Sequence, residues 1–226
     1  MIIKLMRAVV IFSFFILFSI HASGQNQDFQ SRAGFELSMD LTKDMEASLE
    51  LGQRFKDNSL RYDRSLITGA IKYDLPKGFS VGAGARYLLV QNSVQMLESR
   101  YRFNGDLNYR WKISSFQVKL RDRIQYGFDD ITSYVNFGNK LTNRSRVGVS
   151  YNIFGMPISV FTSFEIYLVL NDPTNAAYSL NKVMAGMNWE LPKNLNLKLY
   201  YLLEDEVNTR YPQQAHIIVA ALGLKL

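Results

Sequence analysis

Strict alternation of apolar and polar side chains, over stretches of about ten residues and repeated along most of the chain, constrains the fold more than any other feature. Phe35, Leu37, Met39 and Leu41 alternate with Gly34, Glu36, Ser38 and Asp40. After Thr42-Lys43-Asp44, Met45, Ala47, Leu49 and Leu51 alternate with Glu46, Ser48, Glu50 and Gly52. The pattern recurs on both sides of Asp74–Gly78, through Tyr101–Trp111 and Phe116–Tyr126, and then in 146–153, 158–168, 182–189, 195–203 and 216–226. Successive side chains of a strand point to opposite faces, so each stretch predicts a strand with one apolar face. Beyond Ile20 no segment is long and apolar enough for a membrane helix. Asp122 breaks the pattern by falling on the apolar side, which predicts a bulge or a shifted register there.

The connections alternate as well. Short turns are expected at 42–44, 74–78, 112–115, 154–157 and 191–194, and longer polar loops at 56–60, 90–99, 128–143, 170–180 and 204–214. Short turns at one end and loops at the other suit an outer-membrane barrel, with the turns periplasmic. Trp111 and Trp189 precede short turns on the apolar face, and Phe79 and Phe116 follow them. Rings in those places match the girdle between headgroup and hydrocarbon. Eleven strands are readable, an odd number. An even count would need a further short strand in Gln25–Arg32, so about twelve strands are expected, with ten as the alternative.

The first residues point to export. Lys4 and Arg7 precede the apolar run Ala8–Ile20, and Ala22 and Gly24 suit cleavage before Gln25. Residues 1–24 are therefore expected to be a signal peptide and 25–226 a single barrel. Lys4 and Arg7 account for two of the net charge of +6, leaving +4 on 25–226. Those charges are scattered, and no nucleic-acid surface is expected. A mean hydropathy of -0.09 fits a barrel that averages lipid-facing and lumen-facing residues. The absence of cysteine excludes thiol catalysis, thiolate metal sites and a lipid-anchored N-terminal cysteine.

The stretches LELGQRF, IKYDLPKGFSVGAGARY, FQVKLRDRIQY, RSRVGVSYNIFGMPISVFTSFEIYL and MNWELPKNLNLKLYYLL resemble domain-of-unknown-function family 2490. That resemblance implies a bacterial outer-membrane barrel, brings no known chemistry and supplies no catalytic residues.

Residues able to carry chemistry are few. His216 is the one histidine after the leader, near the loop end of the last strand and on the face of Leu222 and Leu224. As a general base beside a serine it would make the barrel a lipid or lipopolysaccharide hydrolase. No G-x-S-x-G elbow accompanies it, and an interfacial, non-catalytic histidine is the preferred reading. No metal site or cofactor is expected, since adjacent Glu204, Asp205 and Glu206 read as solvated loop residues. Gly82 and Gly84 lie inside a strand and make room for lumen side chains rather than cradling phosphate.

The inward face carries the most distinctive constellation. Glu36, Asp40, Glu46 and Glu50 form an acidic wall, and Arg86, Arg102, Arg110, Lys119, Arg121 and Arg123 a basic one. In a barrel of this size the walls would pair across the lumen, because isolated buried charges are costly. The expectation is a monomeric, non-catalytic protein of a Gram-negative outer membrane: a structural or interaction protein, or a narrow porin-like pore with a salt-bridged lumen. Its expected partners are membrane lipid, a small ion or solute in the lumen, and an unidentified extracellular molecule. A soluble lipocalin-like carrier would instead turn its apolar face inward.

Overall fold

The alternating stretches form eleven strands in the computed structural model, which describes residues 26–92, 94–129, 139–171, 178–208 and 212–226. They are β1 (Asn26–Thr42), β2 (Met45–Lys56), β3 (Arg61–Asp74), β4 (Phe79–Gln91), β5 (Leu97–Ile113), β6 (Phe116–Asp129), β7 (Lys140–Asn152), β8 (Ile158–Val169), β9 (Tyr178–Leu191), β10 (Leu195–Glu206) and β11 (Gln213–Lys225). The expected signal peptide and its cleavage point lie outside the described residues.

Each strand pairs antiparallel with the next, and the sheet closes through β1 and β11. That closing pair is parallel, in register from Asn26↔Gln213 to Ser38↔Lys225. The count is thus eleven, close to the twelve expected. Residues 26–32 extend the strand that contains Gly34 instead of forming a separate one. With an odd number of alternating strands the first and last run the same way, so parallel pairing is what removes the free edges.

Short connections gather at one rim. Lys193 and Asn194 both adopt positive φ (62° and 57°), the mirror-type turn whose twist suits a hairpin. At the other rim the β2–β3 turn is held from β1, where Asp28 accepts the backbone N–H of Asp57 and Asn58 at 3.2 and 3.1 Å. Two predicted boundaries shift. Pairing with β9 and β11 carries β10 on to Glu206, so Glu204–Glu206 are strand residues. The expected bulge at Asp122 is absent: β6 stays in unbroken register with β5 and β7, and bulges fall instead at 40/42, 54/55 and 167/168.

The two faces differ in kind. Outward-pointing Leu49, Ile71, Phe103, Leu107, Leu120, Ile124 and Phe164 are exposed, while the inward side carries the charges. A soluble carrier would have the opposite arrangement, so that reading is excluded. An apolar exterior around a polar interior, with every strand paired, is the membrane-spanning barrel. Inside, Gly84 leaves space for Asn104: a β-carbon there would sit 3.0 Å from its amide oxygen.

Candidate functional site

Inward alternation places charged side chains from neighbouring strands at the same height, and barrel curvature brings them together. Glu204 on β10 accepts from Arg54 on β2 at 2.9 Å and from Lys182 on β9 at 2.6 Å, with Arg32 of β1 at 3.7 Å. Arg54 also donates to Gln30 at 2.5 Å. It lies 3.6 Å from Asp63, which further holds Arg64 (2.6 Å) and Lys56 (3.2 Å). This knot spans β1 and β11 and so staples the parallel seam from inside. At the turn end of the same seam Lys225 reaches Asp40 at 3.0 Å and Glu46 at 3.7 Å. On the far wall Glu165 accepts from Arg121 at 2.5 Å and lies 3.1 Å from Arg144, and Arg123 grips Asp106 with two bonds of 2.6 and 2.5 Å.

The expected acidic and basic walls therefore meet at one point. Arg86 donates to Glu50 at 2.9 Å and to Thr68 at 2.7 Å. Arg121 and Arg123 pair with Glu165 and Asp106, and Asp40 and Glu46 with Lys225. Pairing across the whole lumen is replaced by pairing with strands nearby, because side chains reach one to three strands along the wall more readily than across the barrel. Among the described residues, no carboxylate bridges to Arg102, Arg110 or Lys119.

The loop-end half of the lumen is hollow. A cavity of about 1020 Å³ opens there, lined among the described residues by eleven lysine and arginine side chains against five carboxylates. Its lining stops at Arg32, Arg86 and Arg144, and none of Glu36, Glu46, Asp106, Arg121, Arg123 or Lys198 reaches it. The ion pairs Arg86–Glu50 and Arg144–Glu165 adjoin that limit. Arg102 lines the cavity directly across the sheet from Arg86. Arg144, also in the lining, lies with its guanidinium 4.4 Å from the centre of the Tyr167 ring.

Outside, Phe79, Trp111, Phe116 and Trp189 are exposed near the turn rim. Phe79 packs on Tyr109 and Phe116 on Tyr151, both with ring centres 4.8 Å apart. Near the loop rim, Tyr101 stacks on Phe128 and meets a tilted Tyr87 ring, with centres 5.3 Å apart on each side. His216 faces outward near that rim, and its Nδ1 shares a 2.5 Å hydrogen bond with the Tyr201 hydroxyl. A base for serine would need that contact to be with a serine. The three acids at 204–206 alternate faces, which separates them as metal ligands. No group of three potential ligands occurs among the described residues.

Residues 30–213 match the family described as "Protein of unknown function (DUF2490)". The chain belongs to the DUF2490 family. No curated protein matches the sequence. Among the solved structures that resemble this DUF2490 barrel are two autotransporter domains. One is the beta domain of the Bordetella autotransporter Brka, 9% identical, with 76% of this chain and 78% of that one covered and a TM-score of 0.47. The other is the translocator domain of the autotransporter NalP from Neisseria meningitidis, 12% identical, with 79% and 73% covered and a TM-score of 0.42. With its apolar outer face and closed sheet, the DUF2490 barrel is a protein of the outer membrane.

Inside it are two apolar patches that sequence reasoning did not find. Met184, Leu202, Ala215, Ile217 and Val219 cluster on β9–β11, and Leu66, Leu88 and Val90 on β3–β4. The strand β11 is apolar on both faces, so alternation alone could not reveal that its inner side packs against Met184 and Leu202.

Proposed function

We propose that this protein is a non-catalytic outer-membrane barrel whose lumen favours small anions, which enter a vestibule at the loop end and meet a narrow, ion-paired passage below it. The excess, among the described residues, of eleven cationic over five anionic side chains around the cavity carries this reading. A concave site lined by one sign of charge concentrates counter-ions. Arg102 is central to it, because no carboxylate among the described residues neutralises it. In barrels of this type the longer loops face outward, so the vestibule would open to the cell exterior. The lower half is lined by charges paired along its wall, which suits slow or minor conduction rather than the flow of a wide porin.

Purified protein in planar bilayers under a potassium chloride gradient tests this. The reversal potential should have the sign of chloride selectivity, and Arg102→Glu should move it toward zero. Cation selectivity of the unaltered protein would overturn the reading. So would a silent barrel whose thermal unfolding is indifferent to phosphate and sulfate.

A further inference from the structure

Asp122 is a carboxylate on the wrong side of the wall. It points outward from β6 and is exposed, opposite Leu107 of β5 and Ser145 of β7. Phe116 of the turn-rim belt lies six residues below it, and Tyr126 of the loop-rim cluster four above. That places Asp122 near mid-bilayer. Among the described residues it is the only carboxylate on the lipid face between the two aromatic belts. Two outward-facing polar side chains of β7 join it. Asn143 donates its amide to the carboxylate at 3.0 and 3.2 Å, and the Ser145 hydroxyl donates at 2.7 Å. The amide oxygen of Asn143 lies 3.1 Å from the same hydroxyl, whose single proton is already engaged by Asp122. Beside the three runs a shallow apolar groove of about 450 Å³, walled by Leu107, Leu120, Val147, Phe164 and Ile166.

Hydrocarbon cannot satisfy these groups. A polar or ionised side chain at that depth is costly and calls for a partner that brings hydrogen bonds to the same height. We infer that the β6–β7 face, centred on Asp122, Asn143 and Ser145, is the interface of a two-fold homodimer within the membrane. The choice of a second copy follows from depth and chemistry. All copies insert with one orientation, so a two-fold axis along the membrane normal carries each residue to its own height in the partner. An isologous interface then sets the polar cluster against itself. The cluster is self-complementary: with one amide hydrogen forked between the two Asp122 oxygens, Asn143 keeps the other to donate, while Asp122 and the Asn143 oxygen keep lone pairs to accept. Apolar walls of the groove would pack around that centre and exclude lipid. The proposed dimer departs from the monomer expected from the sequence.

The natural chain has no cysteine, so a single introduced thiol is unambiguous. Ser145→Cys and, as control on another part of the lipid face, Ile71→Cys would each be expressed, and isolated outer membranes oxidised with copper phenanthroline. Folding is verified by heat-modifiable migration. Ser145→Cys should shift from monomer to a disulfide dimer twice its mass, whereas Ile71→Cys should remain monomeric. Adding Asp122→Leu to Ser145→Cys should diminish the dimer band while the barrel still folds. Absence of a Ser145→Cys dimer, equal dimer from both positions, or a dimer unaffected by Asp122→Leu would overturn the proposal. So would an adduct of another mass, which would assign the face to a different membrane protein.

Discussion

At the scale of the residue, the lumen is governed by short-range partners. Glu50 bonds Arg86 with only β3 between their strands, whereas Arg121 bonds Glu165 on the opposite side of β7. Two double-mutant cycles separate these contacts. Glu50→Gln combined with Arg86→Gln should show a coupling of about 0.5–3 kcal/mol in denaturant unfolding, toward the low end because water enters the lumen. Glu50→Gln combined with Arg121→Gln should be additive to within about 0.5 kcal/mol. Strong coupling in the second cycle would restore the idea of walls that pair across the barrel. The membership of each wall was legible from alternation, because the face of a side chain depends only on parity along its strand. Partner choice was not legible. It depends on stagger between strands and on wall curvature, neither of which is written locally. Arg123 illustrates this: its acid, Asp106, directly faces it on β5 yet belonged to neither predicted wall.

At the scale of the element, the same parity rule succeeded for ten-residue stretches and failed where composition hid it. Strands β5 and β6 were readable because aromatic and aliphatic residues alternate there with arginine and asparagine. β10 was cut short because Glu204, Asp205 and Glu206 look like loop until the pairing with β9 and β11 is known. Alternation puts Asp122 on the apolar face and offers a bulge or a shifted register as the reason, yet β6 keeps unbroken register and the carboxylate simply faces outward. Depth along these strands makes a further prediction. Leu120 lies between the aromatic belts and Trp111 within the lower one. Leu120→Arg should destabilise the barrel by about 2–4 kcal/mol, and Trp111→Arg by less, in unfolding from lipid vesicles. Equal losses would show that the belts do not mark the membrane boundaries.

At the scale of the whole molecule, the barrel reads as two halves on one axis: a cation-rich vestibule under the loops and an ion-paired lower half toward the turns. The seam that closes it is parallel, drawn from opposite ends of the sequence and stapled by Glu204 above and Lys225 below. An even-stranded barrel returns both chain ends to one rim. Here β1 starts at the loop rim and β11 finishes at the turn rim. The wall thus acts as a through-connector, with one terminal on each side of the membrane. An epitope inserted immediately ahead of Asn26 should be stained by antibody on intact cells, and one appended after Leu226 only once the outer membrane is permeabilised. Staining of both tags under the same condition would mean that the chain closes with an even number of strands.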